Sequence, residues 1–447
     1  MDASDFINSG VVIGIFGCGV TGAAVAEFCA RRGLPCRIFN EFGCVDDQFS
    51  EEEAAKYPLI IKSPSFGPAH KWVKLAIASG CHCMTELELA SCFWQGKIVA
   101  ITGTNGKTTT TEFVTSALRL CGKKAIACGN IGVTFIGVVD SDCNDADGWA
   151  VLEVSSFQMD GSKLLRPDYV LWINFADDHL DAHGGLREYF NCKAELIRCA
   201  KTSDRTVTNC FVGPSVRDFC EKLSADDILG RCVVCKSTDA LPEDSVLSVG
   251  PQRENFALVQ KFWECAGLPM ERLREASLAF QLPPHRLQKT ATVSKISGAG
   301  RVASVEFWND SKATNFHALN AALGSFARPV ILIAGGKSKD EPMDGFLKII
   351  GGRIKALLLI GDVGETLRKA VAADRSLWLS IICKFFSREE SVEKLMDSVV
   401  RYAFSLALDG DVVLLSPGFS SLDWFKNYEE RGKFFEKSVL CLNLQSK

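Results

Sequence analysis

Apolar residues along this 447-residue chain come in short runs, and most of these end in glycine, serine or a charged residue. Runs of four to six between turn-formers predict buried strands, and 3.6-residue stripes between them predict covering helices. The first part predicts strands at 11–16, 35–39 and 59–62, with a helix following Gly22 and running to about 32. The middle part predicts strands at 99–102, 124–128, 149–154 and 169–173, with helices from about 109 to 120 and 186 to 200. From 202 to 250 the pattern yields only short strands and turns. Two helices follow, from 253 to about 266 and from 268 to 280, and Gln281-Leu-Pro-Pro-His-Arg-Leu287 breaks the pattern. Strand–helix alternation then returns, with strands at 302–308, 330–334, 356–360 and 412–415 and a helix from about 316 to 324. Such alternation predicts an α/β protein of parallel sheets. Its length predicts two or three domains. The punctuation at Gln95-Gly96 and the breaker at 281–287 divide it into a Rossmann-like domain over 1–95, a P-loop ATPase-type one over 96–282 and a second Rossmann-like one over 283–447.

Strand ends carry the candidate chemistry, as expected of open parallel sheets. The strand at 99–102 runs into Gly103-Thr-Asn-Gly-Lys-Thr108 and then a helix. Glycines let successive N–H groups point at one anion, and the helix N-terminus adds positive potential. Lys107 can reach the β/γ-phosphates, and the Thr108 hydroxyl is placed for Mg²⁺. Glu153 ends a buried strand downstream, the usual position for a carboxylate holding Mg²⁺. The loop Asn174–His183 contains two histidines and three aspartates. Their spacing fits no helical zinc pair, and hard oxygen ligands suit Mg²⁺ better. Gly17-Cys-Gly-Val-Thr-Gly22 in a βαβ setting, with Glu41 some twenty residues on, reads as a nucleotide loop or as glycines serving close packing.

Lys193 lies on the apolar stripe of the 186–200 helix, with Leu186, Tyr189, Phe190, Leu196 and Ile197. It is either a lysine snorkelling at the stripe's edge or a buried amine held neutral. A neutral amine can take up CO₂ as a carbamate and bind a cation. The third part gathers Arg286, Asp310, Lys312, Lys337, Lys339 and Ser421 on the loops after its strands, a set that suits an acidic substrate and ATP.

Charge is balanced, with 50 basic and 54 acidic residues, so neither nucleic acid nor a membrane surface is expected as partner. Nineteen cysteines sit among aliphatics without paired metal-ligand spacing, which fits a reducing compartment. A monomeric cytoplasmic protein is the expectation.

Together these stretches resemble the Mur ligase family, which includes the folylpolyglutamate synthases. The residues are Gly103–Thr108, Asn130-Ile-Gly, Glu153-Val-Ser-Ser-Phe-Gln, Asp178-His179-Leu-Asp, Lys193, Pro284-His-Arg286 and Asn309-Asp-Ser-Lys-Ala-Thr-Asn315. Within the family, Gly17–Gly22 and the ending from Ser416 to Gly432 look most like the D-glutamate-adding branch. The resemblance implies ATP and two Mg²⁺ ions, with UDP-N-acetylmuramoyl-L-alanine and D-glutamate as substrates. It assigns phosphate binding to Gly103, Thr104, Asn105, Gly106, Lys107, Thr108 and Thr109, and further ATP contacts to Asn255, Arg286 and Asp310. Thr108 and Glu153 would hold one metal, His179 and carbamylated Lys193 the other. Gly19, Val20, Thr21, Asn130 and Ser155 would meet the UDP substrate; Lys312, Thr314, Ser421, Leu422 and Tyr428 would meet D-glutamate. Lys107, His179, Lys193 and Lys312 would be catalytic.

Four positions depart from the family's pattern. Pro251-Gln252 replaces a His-Asn pair, Lys337 stands where Asp is common, Glu41-Phe42 replaces Thr-Arg, and Tyr428 replaces Phe. Two other readings stay open: a sibling ligase for another amino acid, and a nucleotide-binding protein without ligation, such as an NAD enzyme or a regulatory module.

Overall fold

The structure is a computed structural model. It describes residues 10–41, 48–178, 183–201, 209–236, 241–248, 250–296, 302–338, 343–389 and 391–445. The chain forms two compact units, 1–280 and 281–447.

The first unit contains two parallel sheets. One has β1 (Ile13–Phe16), β2 (Cys36–Phe39), β3 (Leu59–Lys62) and β4 (His82–Thr85) in the order β2-β1-β3-β4. Its order reverses between β1 and β3, so a crevice opens beside the loop Gly17–Gly22. A Cβ on Gly22 would lie 1.9 Å from the Gly17 carbonyl oxygen, so this glycine serves close packing. The second sheet has β5 (Lys97–Thr102), β6 (Ala125–Gly129), β7 (Trp149–Glu153), β8 (Tyr169–Trp172), β9 (Cys210–Val212) and β10 (Val233–Val234). They run in the order β10-β9-β8-β5-β7-β6. β5 is fully buried from Ile98 onward and lies between β7 and β8, so the ends of all three open on one place. The two sheets share one apolar core, in which Ile13, Phe28 and Leu89 join Phe135, Ala150 and Phe190. Several cysteines pack there as small hydrophobes, and burial pushes the Cys210 thiol up to about 12.

The second unit has one sheet of β11 (Gln288–Ile296), β12 (Val302–Asn309), β13 (Val330–Gly335), β14 (Ile354–Ile360), β15 (Ile382–Phe385) and β16 (Val412–Leu415). Its order is β11-β12-β16-β13-β14-β15. β11 pairs antiparallel with β12, and the other pairings are parallel. Separate apolar clusters cover the two faces. No helix of the described residues is long and apolar enough to cross a membrane.

Candidate active site

The helix after β5 spans Lys107–Leu120, two residues earlier than its apolar stripe suggests. Gly106 caps it at φ +83°, where a Cβ would press to 2.5 Å of the Asn255 amide nitrogen. Lys107 and Thr108 therefore occupy its first turn. Asn174, just past β8, holds the loop: its Oδ1 accepts from the N–H groups of Thr104 (3.1 Å) and Asn105 (3.0 Å), and its Nδ2 donates to the Asn105 carbonyl (2.9 Å). Sequence reasoning passed over Asn174 in favour of the histidines and aspartates after it. The signal was its place at the end of a strand next to β5.

Lys107 Nζ donates to the carbonyls of Gly103 and Thr104, both at 2.9 Å. Lys193, on the helix Leu186–Cys199, does not snorkel. It is 2% exposed, and its Nζ donates to the same Gly103 carbonyl at 2.9 Å and to Thr102 Oγ1 at 3.3 Å. Two amines thus converge on one carbonyl. Burial first, and Lys107 second, pull the Lys193 amine well below its ordinary range.

Glu153 ends β7, 4% exposed, and receives Asn130 twice: the Asn130 N–H reaches its carbonyl at 2.8 Å and Nδ2 its Oε1 at 2.9 Å. Its Oε2 is buried with no hydrogen-bond partner among the described residues. An orphaned carboxylate oxygen beside a phosphate-type loop fits a divalent cation, since such a group in an apolar setting is costly without one. Among the described residues no cluster of three His, Cys, Asp or Glu side chains forms a ready metal cage. A cation here would draw on Glu153, Thr108 and phosphate oxygens. His179 lies outside the described residues, as do Lys339 and Phe42.

A cavity of about 480 Å³ is lined among others by Thr104, Lys107, Asn130, Ser155, Asp178 and Lys193, and Asn130 links it to Glu153. Ser155 is the N-cap of the helix Ser156–Met159, in a reciprocal box with Gln158. Thr109 is buried in the loop's helix, and Asn255 and Gln252 line a small neighbouring cavity with it. Gln252 Oε1 is buried there with no hydrogen-bond partner among the described residues. On the first sheet, Gly19 caps the helix Val20–Arg31, with Val20 exposed and Thr21 partly so. Glu41 is taken up by His70 Nε2 (3.0 Å) and Lys71 Nζ (2.7 Å).

In the second unit, His285 (φ 64°) and Leu287 (φ 48°) adopt the left-handed region, a strain of about 1 kcal/mol each that surrounding contacts must hold. The His285 carbonyl accepts from the Lys312 N–H at 3.1 Å, and the Leu287 N–H donates to Asp310 Oδ1 at 3.0 Å. This turn brings Arg286 to the Asp310 loop. Lys312 Nζ stands over the Tyr428 ring at 4.0 Å. Ser421 is buried, Leu422 is 65% exposed, Thr314 is half-buried, and Lys337 is exposed with its N–H bonded to the Ser420 carbonyl at 2.8 Å. Arg431 was not foreseen. It is fully buried on the helix Tyr428–Gln445, and its guanidinium donates to Ser311 Oγ (3.0 Å), the Ser311 carbonyl (2.9 Å) and the Phe419 carbonyl (3.3 Å). It ties together loops after β12 and β16.

Burial pushes the Asp310 carboxyl up from 3.8 to about 7, with Ser416 and the Leu287 N–H opposing. The folded chain then holds this proton more tightly than the unfolded one. Stability from this group is full below about pH 4 and is lost as pH rises through about 7. Asp310→Asn is expected to flatten the decline of the ligand-free melting temperature between about pH 4 and 7. Parallel curves for variant and wild type would contradict this.

Family models match a Mur ligase middle domain over residues 101–226 and a Mur ligase, glutamate ligase domain over 296–419. The UDP-N-acetylmuramoylalanine--D-glutamate ligase of Shouchella clausii is 33% identical, the match covering 94% of this chain and 95% of that one. The ligase of the same name from Bacillus subtilis is 31% identical, covering 96% and 97%. Among solved structures, a pseudomurein peptide ligase type C from Methanothermus fervidus shares the fold with a TM-score of 0.57, at 15% identity over 96% of this chain and 99% of that one. A MurF ligase from Thermotoga maritima, in complex with ADP, matches at 0.54 and 15% identity over 96% and 95%. The chain belongs to the Mur ligase family.

Proposed function

We propose that the chain is an ATP-dependent amide ligase of peptidoglycan precursor synthesis that adds D-glutamate to UDP-N-acetylmuramoyl-L-alanine. The observation that carries this is the grouping of Lys107, Lys193 and Asn130 in one cavity beside the phosphate-type loop, with Asn130 bonded to Glu153. The full-length relatives' names supply the substrates. In this reading the γ-phosphoryl group passes to the alanine carboxylate, and the D-glutamate amine displaces phosphate from the acyl phosphate to form the amide. Both steps gather negative charge in a confined place, where fixed donors and cations stabilise it most.

The loop amides and Lys107 hold the phosphates; Asn255, Arg286 and Asp310 hold the rest of ATP. Thr108 and Glu153 would ligate one Mg²⁺, and His179 with carbamylated Lys193 the other. Bound, these ions would neutralise phosphate oxygens. Gly19, Val20, Thr21, Asn130 and Ser155 orient the UDP substrate. Lys312, Thr314, Ser421, Leu422 and Tyr428 bind D-glutamate, with Lys312 held over the Tyr428 ring. Residues 1–95, 96–282 and 283–447 form the UDP-sugar, ATP and amino-acid domains of a cytoplasmic monomer.

Phosphate release from ATP, with the UDP substrate and a panel of amino acids, tests the assignment. D-glutamate is expected to give most of the turnover, and omitting any substrate to abolish it. A different preferred amino acid would move the chain to a sibling ligase.

A further inference from the structure

Three charged side chains from the first sheet's region end on backbone groups of the central region, and all are buried: Lys62 (4% exposed), Glu86 (3%) and Glu88 (3%). Lys62 Nζ donates to the Asp160 carbonyl at 2.7 Å. Glu88 Oε1 accepts from the N–H groups of Lys163 (2.6 Å) and Leu164 (2.7 Å). Glu86 Oε1 accepts from the Ile136 N–H at 2.6 Å. Of these contacts, Glu86's leads to the Glu153 carboxylate. Ile136 lies in the helix Phe135–Val138, capped by Thr134, whose Oγ1 accepts from the Gly137 N–H at 3.2 Å. The turn before that helix is closed by the Gly129 N–H on the Val133 carbonyl (2.9 Å), and it carries Asn130. Asn130 takes the Oε1 of Glu153 and leaves Oε2 as the buried oxygen without a partner among the described residues.

We propose that Glu86 is a positioning residue: acting through the helix Phe135–Val138 and Asn130, it fixes which oxygen of Glu153 is offered to a cation. The inference rests on the ligase reading and deepens it, because the UDP-sugar region would then set the geometry of the ATP site. Burial pushes the Glu86 carboxyl up to about 7 against the Ile136 and Phe135 N–H groups. A carboxyl in that setting destabilises the fold as pH rises, so its presence calls for another role. Glu88 supplies the control: it is equally buried on the same helix, its Oε2 accepting from the Thr85 N–H and Oγ1 at that helix's cap and its Oε1 bonded to a segment without site residues.

The test measures Mn²⁺ binding in the presence of ATP by electron paramagnetic resonance, and kcat with its Mg²⁺ requirement. Glu86→Ala is expected to weaken Mn²⁺ binding and lower kcat by about tenfold each, the size of an outer-contact loss at a metal site. Glu86→Gln, which keeps an acceptor oxygen, restores most of both. Glu88→Ala lowers the melting temperature and leaves Mn²⁺ affinity unchanged. Thr134→Val loosens the same helix from its cap and shifts Mn²⁺ affinity in the same direction, which decides the matter if Glu86→Ala does not fold. Unchanged Mn²⁺ affinity in Glu86→Ala and Thr134→Val, or equal weakening in Glu88→Ala, would overturn the proposal. Wild-type protein that binds no Mn²⁺ with ATP would instead overturn the ligase reading itself.

Discussion

Lys107→Ala is expected to lower kcat by about a thousandfold, on the scale of removing one preorganised donor from a developing charge. The side chain folds back onto the carbonyls of Gly103 and Thr104, 2.9 Å from each, at the first turn of the helix Lys107–Leu120. An ammonium there lies against the place where a phosphate chain meets the loop's N–H groups, so its loss falls on the transferring phosphoryl group. Lys107 is only half-buried, and Asn174 fixes the loop independently. The melting temperature is therefore expected to change little. Retention of most of the activity, or unfolding in step with the loss, would contradict the assignment.

The second large effect belongs to Lys193. At 2% exposure, and sharing the Gly103 carbonyl with Lys107, this amine is held towards its neutral form. A neutral amine can attack CO₂, forming an N–C bond and releasing one proton, and the product is an anion where a neutral amine stood. That exchange would add a negative charge and supply oxygen ligands for Mg²⁺. Bicarbonate is expected to raise the native mass of wild-type protein and tighten Mg²⁺ binding, with neither effect in Lys193→Ala. The variant should lose activity by about a hundredfold or more, as first-line electrostatic groups do. Equal mass and Mg²⁺ affinity with and without bicarbonate would show that the lysine acts as an amine.

Much of this architecture can be read from residue order because strand and loop signals coincide. The expected strands at 59–62 and 412–415 and the helix at 316–324 match the structure's bounds. The helix after β5 begins at Lys107 because Gly106 takes a positive φ, which apolar periodicity does not report. Residues 202–250 yield only short strands and turns by pattern, and the described strands there, Cys210–Val212 and Val233–Val234, are two or three residues long. The helix Pro214–Leu223 was missed because it carries few apolar residues, with Val216 and Cys220 its buried ones. β11 was missed because Gln288-Lys-Thr-Ala-Thr-Val mixes polar and apolar residues on an edge, paired antiparallel and bulged. Lys193 shows a different limit. Its stripe fits a snorkelling residue equally well, and burial is decided by Thr102 and Gly103, ninety residues away in sequence. Glu86 and Arg431 look like surface charges in sequence; only tertiary contacts reveal them as buried anchors.

Activation of the substrate's carboxylate by phosphoryl transfer is tested most directly with UDP-N-acetylmuramoyl-L-alanine carrying ¹⁸O in its alanine carboxylate, turned over with ATP and D-glutamate. Each amide formed is expected to send one labelled oxygen into the released phosphate, which mass spectrometry reads. Phosphate free of label, with amide still forming, would contradict the account.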